Sequence, residues 1–260
     1  MALDKLVDST QLDSDLTSVA NAIRAKSGGS SQLAFPAGFV SEIQAIPSGG
    51  GITIDDIATG AKPSGDITIT TPISRTETFR GYPNIRKVTV SYSGSMVANG
   101  QGCFRDSGIT EFVGIDLTRA NAGAAFYGST SLSKATIPKA TYFENNLFYG
   151  CSNLAVADIG GGAINRGGIF QNCKKLQTII IRGATVCTLG NVSNLSQTPF
   201  YPSSGTGITG TGTLYVPNAL VDTYKTASNW STLYNAGTMA IQKIEGSIYE
   251  NAYADGTPIT

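Results

Sequence analysis

Phe126-Tyr-Gly-Ser-Thr-Ser-Leu132-Ser-Lys-Ala135-Thr-Ile137, Phe148-Tyr-Gly-Cys-Ser-Asn-Leu154-Ala-Val-Ala157-Asp-Ile159 and Phe170-Gln-Asn-Cys-Lys-Lys-Leu176-Gln-Thr-Ile179-Ile-Ile181 are three copies of one pattern. A phenylalanine is followed by small or turn residues, an apolar residue six positions on, and apolar residues nine and eleven positions on. The last two alternate with outward residues, which is the period of a short strand with one buried face. The pattern extends upstream to Phe79, with Ile85, Val88 and Val90. At Phe104 the unit is one residue shorter, with Ile109, Phe112 and Gly114 in the equivalent places. Phenylalanine recurs again at Phe200. The central spacing is twenty-two residues and the first is twenty-five. A recurrence of this length marks stacked coils, none of which can bury its apolar face alone. Glycines between the units, at Gly160–Gly162 and Gly167–Gly168, suit corners that need positive φ.

These segments resemble BspA-type leucine-rich repeats, over roughly residues 76–245. Leu214-Tyr-Val-Pro-Asn-Ala-Leu-Val-Asp-Thr-Tyr-Lys-Thr-Ala-Ser-Asn-Trp230 resembles the segment that closes such arrays. The sequence departs from the family in the glycine-rich stretch Thr188 to Gly212, read as an insertion loop. Leu6-Val-Asp-Ser-Thr-Gln-Leu-Asp-Ser-Asp-Leu-Thr-Ser-Val-Ala-Asn-Ala-Ile-Arg-Ala-Lys26, continued by Leu33 to Phe39, is similar to the start of tail-associated proteins of phages and prophages of Gram-positive hosts. Together the two resemblances imply a virion tail or baseplate component, with other tail proteins and a host surface polysaccharide or protein as partners.

The fold expected is α+β: a leucine-rich-repeat-like, β-containing solenoid of about six coils, with N-terminal helices and a C-terminal helical cap. A parallel β-helix is the alternative, since its coils have similar length. Residues 1–47 form a helical docking or oligomerisation segment. Leu12, Leu16, Val19 and Ile23 share one helical face, after a capping pair at Thr10 and Asp13. Arg24 and Lys26 suit the last turn of that helix. Pro36 opens a second helix carrying Phe39, Ile43 and Ile46. Residues 48–75 are a glycine-rich linker with lead-in strands, and 76–216 are the repeats. Residues 217–245 are the cap, with Leu220, Val221 and Tyr224 on one side of a helix from Asn218 to Ala227 and Trp230 packed nearby. Residues 246–260 have no clear periodicity and read as a tail or a partner-bound strand.

Composition narrows the chemistry. The 260 residues have a formal net charge of zero and no histidine. Neutrality offers no electrostatic attraction to nucleic acid or to an anionic membrane. No apolar run reaches membrane-spanning length. The N-terminus has no apolar signal segment, so synthesis in a host cytoplasm is expected, and the resemblance to tail-associated proteins implies placement in a virion. Without histidine there is no Ser-His-Asp or Cys-His machinery and no histidine metal ligand. Cys103, Cys151, Cys173 and Cys187 form no C-x-x-C pair. Cys151 and Cys173 hold the same place in successive units and are read as small buried residues. Gly205-Thr-Gly-Ile-Thr-Gly210 matches G-x-G-x-x-G but lacks the flanking strand and helix of a dinucleotide site. Asp106-Ser107-Gly108 reads as a turn. No cofactor, metal or catalytic residue is assigned.

Candidate residues lie on the outer strand face, eight and ten positions after the phenylalanine, one fewer in the short unit at Phe104, with the closing unit adding the last pair. They are Lys87 and Thr89, Glu111 and Val113, Lys134 and Thr136, Val156 and Asp158, Thr178 and Ile180, then Thr213 and Tyr215. Val156, Ile180 and Tyr215 should form an exposed apolar strip suited to a partner or subunit contact. The functional expectation is a non-enzymatic phage tail or baseplate protein, structural or receptor-binding and homo-oligomeric. The alternatives are a bacterial surface adhesin and a polysaccharide-degrading tailspike. The tailspike would need two convergent acids from Asp106, Glu111, Asp116 and Asp158.

Overall fold

The computed structural model describes residues 17, 19–21, 65–98, 101–164, 168–190, 212–237 and 239–259. The chain divides into two compact units, residues 1–50 and 51–260. In the first unit Thr17, Val19, Ala20 and Asn21 are helical. Ala20 is buried and Val19 is 48% exposed. Leu12, Leu16, Ile23, Phe39 and Ile43 lie outside the described residues, as do Thr10, Asp13, Arg24, Lys26, Pro36 and the insertion-loop residues 191–211 with their glycine motif.

The second unit is a β-solenoid. One strand per coil enters a long parallel sheet: β1 (Gly65–Ile69), β2 (Ile85–Val90), β4 (Glu111–Val113), β6 (Lys134–Ile137), β8 (Val156–Ile159), β10 (Thr178–Ile181), β12 (Gly212–Val216) and β13 (Met239–Lys243). They pair in that order, eight strands in all. Short strands on other stretches of the coils form two smaller parallel sheets. One is β3 (Gly94–Ser95), β5 (Leu117–Ala120) and β7 (Tyr142–Phe143); the other is β9 (Ala163–Ile164) and β11 (Thr188–Leu189). Their inward residues Leu117, Phe143, Ile164 and Leu189 are buried. They fall at irregular distances from the preceding phenylalanine, so no period announces them.

The template residues line the core as expected. Ile85, Val88, Ile109, Phe112, Leu132, Ala135, Leu154, Ala157 and Ile179 are fully or almost fully buried. The phenylalanines stack into a ladder. Ring centroids of Phe79, Phe104, Phe126, Phe148 and Phe170 are 4.9, 5.4, 5.3 and 5.5 Å apart in succession. That step is close to the separation of paired strands, so one ring per coil continues the stack without strain.

Each phenylalanine sits between two left-handed residues. Two positions before it are Glu77, Gly102, Ala124, Asn146 and Gly168; two positions after it are Gly81, Asp106, Gly128, Gly150 and Asn172. The repeated conformation aims backbone groups at the next coil. Phe79, Phe104 and Phe126 donate their N–H groups to Cys103, Ala125 and Leu147 carbonyls at 2.7, 2.8 and 2.9 Å. Three positions after the phenylalanine a small side chain secures the preceding coil. Ser129 Oγ, Cys151 Sγ and Cys173 Sγ donate to the carbonyls of Phe104, Phe126 and Phe148 at 2.6, 3.0 and 3.1 Å. The cysteines are unpaired and buried. Desolvation pushes the thiols up, Cys103 and Cys187 to about 12, so they remain protonated donors. Gly162 shows why a corner excludes a side chain. Its φ is +84°, and a Cβ there would lie 1.9 Å from the Thr141 carbonyl oxygen.

The C-terminal cap is more than a lid. A 3-10 turn, Asn218–Leu220, leads into α1 (Val221–Thr226), and α2 (Trp230–Asn235) follows. Both helices belong to the connection from β12 to β13, which extends the long sheet by a strand that the sequence pattern does not announce. Tyr224 and Trp230 are fully buried. Cys187 N–H donates to Tyr224 Oη at 2.8 Å, and Trp230 Nε1–H donates to the Cys187 carbonyl at 2.6 Å. Two aromatic side chains thus satisfy backbone groups just before β11 and bury its end.

Candidate functional site

The outer face of the long sheet carries two columns of side chains. The first holds Lys87, Glu111, Lys134, Val156, Thr178 and Thr213, in register from β2 to β12. All six are half-buried. Glu111 bridges its neighbours, with Lys87 Nζ and Lys134 Nζ each 3.7 Å from its carboxylate. Asp66 on β1 accepts the Lys87 backbone N–H at 3.1 Å. The N-terminal half of this column is therefore an alternating charge ladder. The C-terminal half is uncharged.

The second column departs from expectation. Thr89 and Tyr215 are half-buried, but Val113, Thr136, Asp158 and Ile180 are buried. The predicted exposed strip is thus corrected at Ile180, which is 0% exposed, and Asp158 beside it in the same column is 0% exposed as well. At Asp158 and Ile180 the physical reason is the tail, which folds back over the face of β8 to β12. Ala254 N–H donates to Asp158 at 3.2 Å. Tyr249 packs its ring at 70° against Tyr215, with centroids 4.9 Å apart.

Arg182 holds this arrangement together. Its Nε donates to both Asp158 oxygens at 2.9 and 3.1 Å, and its second nitrogen donates to Asp158 at 2.8 Å. That nitrogen also donates to the Tyr249 and Ala252 carbonyls at 3.1 and 2.8 Å. The guanidinium lies 5.1 Å from the centre of the Tyr253 ring. Burial pushes the Asp158 carboxyl up to about 6, against the downward pull of Arg182. Sequence reasoning missed Arg182, Tyr249 and Tyr253. The only available signal was a pair of tyrosines in a tail without periodicity.

The four acids considered for hydrolysis each face a cation. Asp106 lies 3.9 Å from Arg80 and 3.4 Å from Arg105; Asp116 lies 2.7 Å from Lys139. Glu111 and Asp158 have the partners given above. Ser107 is buried in the turn, its hydroxyl 3.4 Å from that of Ser129. The described residues contain no cluster of three or more potential metal ligands. No helix among them is long and apolar enough to cross a membrane.

The coil geometry has a counterpart among known families. The family model of the BspA type leucine-rich repeat region matches residues 72–198, in six copies. Residues 72–198 are thus similar to a BspA-type leucine-rich repeat region. The match begins just before Phe79, spans the phenylalanine ladder and includes β2, β4, β6, β8 and β10 of the long sheet. No curated protein and no solved structure matches the chain.

Proposed function

We propose that this protein is a non-enzymatic, adhesin-like binding protein that presents the strand face of its BspA-type repeats to a partner at a cell surface. The observation that carries the reading is the open column Lys87, Glu111 and Lys134. Three charged side chains are held by adjacent strands and by one another at 3.7 Å. Side chains ordered before contact lose little freedom on binding, which favours recognition by a surface. The pairing of Asp106, Glu111, Asp116 and Asp158 with cations also supports binding over hydrolysis. A glycosidase needs one of its carboxyls protonated as an acid and a second free to act as base or nucleophile.

The test is binding of the full-length chain to arrayed cell-wall polysaccharides and purified surface proteins, beside the variant Lys87→Glu/Lys134→Glu. A ligand that the variant binds at least tenfold more weakly supports the reading. Equal binding by both chains would remove it. Release of reducing ends from a bound polysaccharide would favour the tailspike instead.

The second reading places the same surface on a virion tail or baseplate, with other tail proteins as partners. It rests on the resemblance carried by residues 6–39 to the start of phage tail-associated proteins. Light scattering on the full chain and on a chain lacking residues 1–47 tests its assembly component. An oligomer that becomes a monomer on truncation supports it, and a monomer in both cases opposes a homo-oligomeric role for that segment.

A further inference from the structure

The strand face of β8 to β12 already holds a peptide. We propose that Asp158 and Arg182 form a clamp for a turn-forming, tyrosine-bearing peptide, and that Tyr249–Ala254 is its resident occupant, displaceable by a partner segment of the same kind. This stands independently of the reading of the open column, which uses other strands.

The contacts define what the clamp recognises. Arg182 donates to two tail carbonyls, at Tyr249 and Ala252, and Asp158 accepts the N–H of Ala254. These are backbone groups, presented together by the turns of the segment and its bridge from Ala252 to Pro258. Selectivity comes from the rings: Tyr249 meets Tyr215 edge to face, and Tyr253 lies against the Arg182 guanidinium.

Three features make the occupant exchangeable. The tail contributes no strand to the long sheet, which ends at β13. Its apolar ends are not sealed, since Ile248 is 81% and Ile259 38% exposed. It leaves β13 through Gly246, whose φ of +80° lies in open space. Release of the tail would also leave no orphan charge, because Asp158 and Arg182 keep their mutual hydrogen bonds.

The experiment uses a fluorescent peptide of residues 246–260 and the full-length chain. In the variant Tyr249→Ala/Tyr253→Ala the resident segment keeps its length but loses both rings. The peptide is expected to bind this variant at least tenfold more tightly than the unaltered chain, by anisotropy. A peptide with both tyrosines replaced by alanine is expected not to bind. Ala254→Pro, which removes the N–H given to Asp158, is a second variant expected to behave like the first. A retained thermal transition establishes that each variant is folded. Folded variants that bind no more tightly than the unaltered chain, or equal binding of the peptide without tyrosines, would overturn the proposal.

Discussion

The two halves of one strand face are built on the same coil and differ in what meets their outward residues. Across β2, β4 and β6 the first outward column is charged, cross-linked and open to water. Across β8, β10 and β12 the same face is uncharged except for one ion pair, and the chain's own tail covers it. The coil repeats, but its outward residues do not: Lys87, Glu111 and Lys134 give way to Val156, Thr178 and Thr213. Ionic rungs stay solvated, where a pair gains little and costs little. Apolar rungs and a buried aspartate need cover, and residues 246–259 supply it.

The comparison can be broken at four points. Arg182→Ala should have the largest effect, about 3–5 kcal/mol of lost stability, because it leaves a buried carboxylate without its cation. Urea denaturation measures it, and a loss below about 1 kcal/mol would mean that the covered half is not sealed. Ile180→Ala should cost about 2–5 kcal/mol as a core truncation. Were Ile180 as exposed as its place in the sequence pattern implies, the cost would fall within about 0.5 kcal/mol.

Acidity separates the halves more finely. The folded Asp158 carboxyl titrates near 6, above the ordinary value of about 3.9. The folded state therefore holds a proton that the unfolded chain has released. The stabilisation from this proton is complete below about pH 4 and lost as pH rises through about 6. Between pH 5 and pH 7 the unaltered chain should lose about 1 kcal/mol from this group. In Asp158→Asn that component should vanish; melting curves at the two pH values, unaltered in their difference by the substitution, would contradict it. The smallest effect belongs to the open half. Lys134→Ala should change stability by no more than about 0.5 kcal/mol, since its pair with Glu111 is solvated. A larger loss in the same denaturation experiment would show that the ladder is structural.

Much of the coil was legible. Phe126, Leu132, Ala135 and Ile137 state the inward set directly, because a strand has a period of two and the coils recur at a near-constant interval. The closing helix was readable from Leu220, Val221 and Tyr224. The strand after it was not. Met239–Lys243 is a single short run with no second copy to reveal its register. The strands of two residues, such as Tyr142–Phe143, were equally silent, being too short to show alternation. The candidate site was only half legible. Val156, Thr178 and Thr213 do face outward on adjacent strands, as their positions require. Asp158 and Ile180 face outward too, yet no solvent reaches them.

The amino-acid order by itself determined the repeating coil, its inward residues and the phenylalanine ladder, because local alternation and recurrence specify which side of each strand must be buried. Only the tertiary structure decided which outward residues meet water. That outcome depends on Ala254 reaching Asp158 across 96 residues of chain, and on Arg182 donating to carbonyls of Tyr249 and Ala252. Contacts of this kind join a repeat to a segment that does not repeat. Backbone carbonyls and amides make them, and every residue but proline carries both groups, so no pattern of side chains could announce them.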